Sequence, residues 1–183
     1  MYSVGETSGG LEWVETQTDG FGGISGMSGV NASLASADGN DLYLAAAGSS
    51  SVIHFRRDPF SGTLTYGETI TNGSEGGLDA MVMPSALAMS SDSTSLYVAS
   101  NYDPGAVVAF HRDPVSGQLT FVQQTVEGFG GVLGLNGADG VIVTPGGEQV
   151  YLTGREQNTL AEFDRNAGDA RVFCEQNFRM RSA

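Results

Sequence analysis

Few residues of this chain have the types and spacing that chemistry needs. The sequence holds two histidines, His54 and His111, and one cysteine, Cys174. Paired histidines can bind a metal or share acid–base work, and a cysteine beside a histidine can act as a nucleophile. Neither pattern forms here. When Asp58 is aligned with Asp113, Arg56 and not His54 falls opposite His111, so the two rings lie on different strand faces and read as surface histidines. Cys174 has no histidine near it in sequence and is expected as a buried or edge thiol. The acidic run "ADGNDL" (37–42) lacks the pattern of a calcium loop and reads as a turn, so no metal and no cofactor is expected. The stretch "EGFGGVLGLNGADG" (127–140) is dense enough in glycine for a phosphate cradle, yet Leu133 stands where G-x-G-x-x-G needs its third glycine. No helical pattern follows it to offer an N-terminus to a phosphate. Polar loop residues remain: Asn101, Asp103, Arg155, Glu156 and Asn158. Their amide, carboxylate and guanidinium groups suit a small carbohydrate-like ligand, if the fold brings them to one place.

What positions them is a repeat. "NDLYLAAA" (40–47), "TSLYVASN" (94–101) and "EQVYLTGR" (148–155) align on Tyr43, Tyr97 and Tyr151, each 54 residues from the next. A second block follows each: "HFRRDPFSGTLTY" (54–66), "AFHRDPVSGQLTF" (109–121) and the worn copy "EFDRNAGDARVF" (162–173). The opening "YSVGETSGGLEW" (2–13) is a further copy of the second block standing without its first. Within each unit, apolar runs of strand length are bounded by Gly, Pro, Asp and Ser. In the D-P-x-S-G turns, Pro59 and Pro114 pre-set φ while Gly62 and Gly117 accept φ > 0. Asp58 and Asp113, beside Arg57 and Arg112 at equal positions, read as turn caps and surface pairs. Each unit therefore reads as a four-stranded antiparallel meander, strands A to D, with apolar residues on both faces of its middle strands. Sheets apolar on both faces must be sandwiched between neighbours, which describes the blades of a β-propeller. The predicted class is all-β, about three and a half blades of an incomplete ring. The divisions are a half blade at 1–20, blades at 21–72, 73–126 and 127–178, and a tail at 179–183. The glycine-rich stretches are then linkers that carry the chain from the outer strand D of one blade to the inner strand A of the next, and glycine lets them bend tightly. B–C loops and D–A linkers share one rim of such a ring, which brings Asn101, Asp103, Arg155, Glu156 and Asn158 toward the channel mouth.

The combination of "LYVA", "FHRDPVSGQLTF" and the "EGFGGVLGLNGADG" linker resembles the lactonase-like β-propeller repeats, the family of the seven-bladed 6-phosphogluconolactonases. The resemblance covers residues 1–175 and speaks for the fold. Its motifs are blade scaffolding, so no catalytic residue is carried over. Two functions follow. The leading expectation is a scaffold or a ligand- or protein-binding module, part of a longer propeller. The alternative is a sugar-lactone hydrolase, in which a channel carboxylate or histidine activates water and an arginine steadies the oxyanion or a phosphate.

Composition narrows the partners. The formal charge is −13 and all eight basic residues are arginine. That surface repels nucleic acid and anionic lipid, and no run approaches the ~20 apolar residues of a membrane span. Glycine, 27 of 183 residues, is about twice its usual share of roughly 7%. An open arc of blades would leave an apolar face at its end, so self-association, or missing blades that complete the ring, is expected. The start of the chain has no charged n-region or apolar h-region of a signal peptide, and a secreted or cell-envelope location stays open.

Overall fold

The structure, a computed structural model, describes residues 12–174. It contains twelve strands in three four-stranded antiparallel sheets, each a meander in chain order. Blade one is β1 (Val30–Ala35), β2 (Asp41–Ala46), β3 (Ser51–Arg57) and β4 (Leu64–Thr71). Blade two is β5 (Pro84–Met89), β6 (Ser95–Ser100), β7 (Ala106–Arg112) and β8 (Leu119–Val126). Blade three is β9 (Ala138–Val143), β10 (Gln149–Gly154), β11 (Thr159–Arg165) and β12 (Val172–Phe173). Inner strand β5 packs against both β1 and β9, so the sheets fan about a common side and leave the ring open. The fold is all-β, a partial β-propeller. The half blade at 1–20 and the tail at 179–183 fall largely or wholly outside the described residues. Of the former, Glu15 accepts the Leu64 amide through its carboxylate and Gln17 donates to the Leu64 carbonyl at 3.3 Å.

Strand composition explains the sandwiching. All six residues of β6 are buried, as are most of β2, β3 and β7. One apolar cluster joins Tyr43 and Val52 of blade one to Val98, Val108 and Phe110 of blade two. A second joins Tyr97 and Val107 of blade two to Val141, Leu152 and Phe163 of blade three. The linkers repeat in detail. Gly22 and Gly23 take φ of 61° and 83°, and Gly130 and Gly131 take the same pair, values open to glycine at little cost. Each linker closes on a matching backbone bond, from Gly20 to Ile24, Gly73 to Leu78 and Gly128 to Val132. The glycines turn the chain, as a linker should.

Between blades the apolar contacts are pinned by a polar seam. Arg112, at the end of β7, donates from Nε to the Tyr43 hydroxyl at 2.9 Å and from Nη2 to the Asp41 carboxylate of the blade before it. Tyr43 in turn donates to the Gly117 carbonyl, in the turn after β7, at 2.6 Å. Blade three repeats the device on blade two. Arg165 donates to the Tyr97 hydroxyl at 3.1 Å and Tyr97 donates to the Ala170 carbonyl at 2.9 Å. Arg165 also reaches Asp92 at 3.0 Å and the Ser95 hydroxyl at 2.9 Å. Burial pushes both tyrosine hydroxyls well above their ordinary pKa, so they stay protonated and available as donors.

Two surface assignments from the sequence are corrected by this seam. Asp58 and Asp113 do cap their own turns, accepting the amides of Phe60 and Ser61 and of Val115 and Ser116. Arg112 is not a surface partner of Asp113, because alternation along the C strand turns it into the preceding blade, where it is 1% exposed. His54 is likewise no surface histidine. It sits opposite Tyr43 on the row that blade two covers, and its ring stacks on Tyr43 at 5.1 Å. Its Nε2 lies 2.7 Å from Oδ1 of the fully buried Asp41. His111, opposite Ser95, is exposed. Gly117, with φ of 77°, presses the next blade's turn so close that a Cβ there would overlap the Asp41 carboxylate and come within 2.6 Å of His54 Nε2.

Removing Arg112 leaves the buried Asp41 with only the half-exposed Arg56, 3.3 Å away, and His54 as partners among the described residues. Arg112→Ala should therefore cost up to about 3–5 kcal/mol in chemical denaturation, whereas Arg57→Ala, whose guanidinium meets the Gly39 carbonyl at 3.1 Å at a half-exposed position, should cost within about 0.5 kcal/mol. Equal losses at the two positions would contradict the seam.

Acid should weaken the fold through the same turns. The Ser36 hydroxyl, foremost, holds the Asp38 carboxyl down at about 2. Burial alone would raise Asp92, but bonds from Ser90, Thr94 and Arg165 outweigh it and keep that carboxyl low. Turn amides of Ser61 and Ser116 lower Asp58 and Asp113. A depressed native pKa stabilises above the unfolded value and is lost as pH falls through the native one. The thermal midpoint should stay nearly level above about pH 5 and drop between about pH 4 and 2. Asp38→Asn should flatten that limb, and an unchanged slope would count against it.

Candidate functional site

The rim on which the B–C loops and D–A linkers meet is built from the start of each inner strand. All three inner strands carry a β-bulge at the same place. Pairing slips between Val30 and Ala32, between Pro84 and Ala86, and between Ala138 and Gly140. The extra residues are Asn31, Ser85 and Asp139, one polar side chain per blade at one level of the channel mouth. Bulges re-aim side chains and are frequent next to active sites. Sequence reasoning missed these three, since only a polar residue at the same repeat position marks them.

Their surroundings differ by blade. Ser85 donates to the Ala138 carbonyl of the neighbouring inner strand at 2.7 Å, tying blades two and three together at the rim. Asp139 accepts the Thr153 hydroxyl at 2.9 Å on Oδ1, while its Oδ2 lies 3.8 Å from Arg155 Nε. Asn31 is exposed. A carboxylate oriented by a hydroxyl can accept a proton from water, and the exposed guanidinium beside it can steady a nearby anion.

The five loop residues expected at the rim divide. Arg155 meets the bulge residue Asp139. Glu156 is exposed beside it, and its amide donates to the Asn136 carbonyl of the incoming linker at 3.2 Å. Asn158 turns the β10–β11 loop with φ of 55° and is exposed. Asn101 is half-buried, its amide on the Met83 carbonyl just ahead of the blade-two bulge. Asp103 lies elsewhere. With Asp79, Tyr102, Phe129 and Phe173 it lines a cleft of about 850 Å³ between blades two and three, which Cys174 also borders. Cys174 itself is exposed at the end of β12. Among the described residues, no group of three or more histidine, cysteine and carboxylate side chains forms a metal site.

One family model, described as the lactonase seven-bladed β-propeller, matches residues 1–132, which hold blades one and two. The chain belongs to that family. Solved structures agree on the fold. A candidate 6-phosphogluconolactonase of Bacteroides uniformis is 23% identical with a TM-score of 0.71, matched over 84% of this chain and 41% of its own. Its counterpart from Bacteroides fragilis is 23% identical with a TM-score of 0.69, over 82% of this chain and 38% of its own. The periplasmic gluconolactonase of Pseudomonas aeruginosa is 27% identical with a TM-score of 0.67, over 81% of this chain and 39% of its own. No curated protein matches the chain. The chain thus spans about two fifths of the length of these lactonase-family structures.

Proposed function

We propose that the chain supplies one arc of a sugar-lactone hydrolase, with its inner-strand rim forming part of the substrate channel. The observation that carries this reading is Asp139, thrown to the rim by its bulge and set between Thr153 and Arg155. Membership of the lactonase family, and neighbours named for gluconolactonase chemistry, support the hydrolase over the scaffold expected first.

Lactone opening needs little machinery. Water adds to the ring carbonyl, charge gathers on the carbonyl oxygen, and the ring C–O bond breaks to leave an alcohol and a carboxylate. Asp139 takes the proton from water and returns it to the departing ring oxygen. Arg155 steadies the oxyanion or the acidic end of the substrate. Asn31, exposed on its bulge, offers hydrogen bonds to sugar hydroxyls. The aldonic acid product and a net charge of −13 repel each other, which favours release.

Purified protein should open 6-phosphogluconolactone faster than the lactone opens alone. Asp139→Asn should lower kcat by about 10²–10⁴-fold and Arg155→Ala by about 10²–10³-fold, while Asp169→Asn, in the last turn, should leave it unchanged. A monodisperse preparation with no rate above background would overturn the reading.

A further inference from the structure

Each linker that leads into a blade is closed by a polar side chain at its start. Asp19 accepts the Met27 amide on Oδ1 at 3.2 Å, Asn72 accepts the Met81 amide on Oδ1 at 2.9 Å, and Glu127 accepts the Leu135 amide on Oε2 at 2.7 Å. Aspartate or asparagine suffices for that bond. Glutamate is longer by a methylene and has a second oxygen to place. Oε1 of Glu127 accepts the side-chain amide of Gln157, at the tip of the β10–β11 loop, at 3.0 Å. The matching loop residue of blade one, Ser49, turns back instead to the Gly26 and Ser28 carbonyls of its own linker. The loop that Glu127 reaches is the one that carries Arg155. Its backbone is already laced to the end of the linker: the Arg155 and Glu156 amides donate to the Gly137 and Asn136 carbonyls, each at 3.2 Å, and the Thr159 hydroxyl donates to the Gly134 carbonyl at 2.8 Å. Glu127 ties the tip of the loop to the start of the linker as well. It is half-buried, and its own amide is held on the Gly105 carbonyl of the blade-two loop at 2.9 Å.

We propose that Glu127 is a positioning residue: its carboxylate braces the β10–β11 loop against the incoming linker and so sets Arg155 beside Asp139. The consequence for catalysis rests on the hydrolase reading above; the brace itself rests on hydrogen bonds alone. The Arg155 side chain is 64% exposed and meets Asp139 at 3.8 Å, so neither packing nor a tight ion pair holds it. The backbone that bears it has to be held instead, because an arginine that steadies an oxyanion acts only if it is in place beforehand. Length rather than charge carries the role of Glu127. Aspartate would close the linker, as Asp19 does, and fall short of Gln157. Glutamine has the same reach: its carbonyl accepts the Leu135 amide, and its amide group meets Gln157 once Gln157 turns its own amide over to present the oxygen.

Glu127→Asp, Glu127→Gln and Gln157→Ala are compared in the full chain by lactone opening and by hydrogen exchange read at single amides. Glu127→Asp and Gln157→Ala should each lower kcat for 6-phosphogluconolactone by about three- to tenfold with KM little changed, since the arginine acts on the oxyanion. Glu127→Gln should keep a rate close to that of the parent chain. Glu127→Asp combined with Gln157→Ala should lose little more than either alone, because both remove the same bond. The amides of Arg155 and Glu156 should exchange faster in Glu127→Asp and Gln157→Ala, while those of Ala47 and Ser49, on the equivalent loop of blade one, stay as they were. A parent chain that opens no lactone would overturn the hydrolase reading and leave exchange to decide the brace. Unchanged exchange at Arg155 and Glu156, equal loss of rate in Glu127→Gln and Glu127→Asp, or additive losses in the double variant would each overturn the proposal.

Discussion

Everything in this molecule hangs from the contact between one blade's tyrosine and the next blade's arginine. A four-stranded meander with both faces apolar cannot stand alone in water; it must be clamped between neighbours. Apolar packing supplies the attraction but little orientation. The arginine fixes the rotation of one sheet on the next, because its guanidinium must meet a tyrosine oxygen and a carboxylate at once. The tyrosine proton then ties the arrangement to the turn carbonyl of the following blade. Both seam arginines are nearly fully buried, so each partner is costly to lose once the other is in place. The two are not identical. Blade one offers a buried Asp41 with His54 beside it, where blade two offers Ser95 and Ala109 with Asp92 at the turn. The first seam therefore concentrates charge in the interior, and the second leaves it at the edge.

The rim depends on those seams. An inner strand can present a bulged residue at a fixed place only while its blade is held at a fixed angle. Ser85, bonded to the Ala138 carbonyl, shows a bulge side chain serving the assembly itself. Asp139 instead bonds within blade three, to Thr153 and beside Arg155. A fold that repeats one scaffold and varies one polar residue per blade can compose a channel from unlike groups without altering its blades. The three described blades supply three such positions, Asn31, Ser85 and Asp139.

Much of this was legible in the sequence, for a physical reason. Repeats 54 residues apart, with Tyr43, Tyr97 and Tyr151 in step, carry the strands, turns and blade order, because every blade must meet the same packing demand. The turn aspartates were read correctly from the D-P-x-S-G pattern. His54 and Arg112 were misread because facing direction depends on which blade covers which side of a C strand, and local alternation alone leaves that open. Asn31, Ser85 and Asp139 were missed because a bulge is a property of pairing, visible only when two strands are seen together. Asp103 and Arg155 occupy matching loops, yet one lines the cleft and the other the bulge. Loop position names the rim; it does not say which way a side chain turns.

The most direct test of the seam is native-state hydrogen exchange on Tyr43→Phe. The account predicts faster exchange for amides of β2 and β7, which flank the first seam, with β10 and β11 keeping their protection. Uniform loosening of all three blades, or no change beside the altered residue, would contradict it.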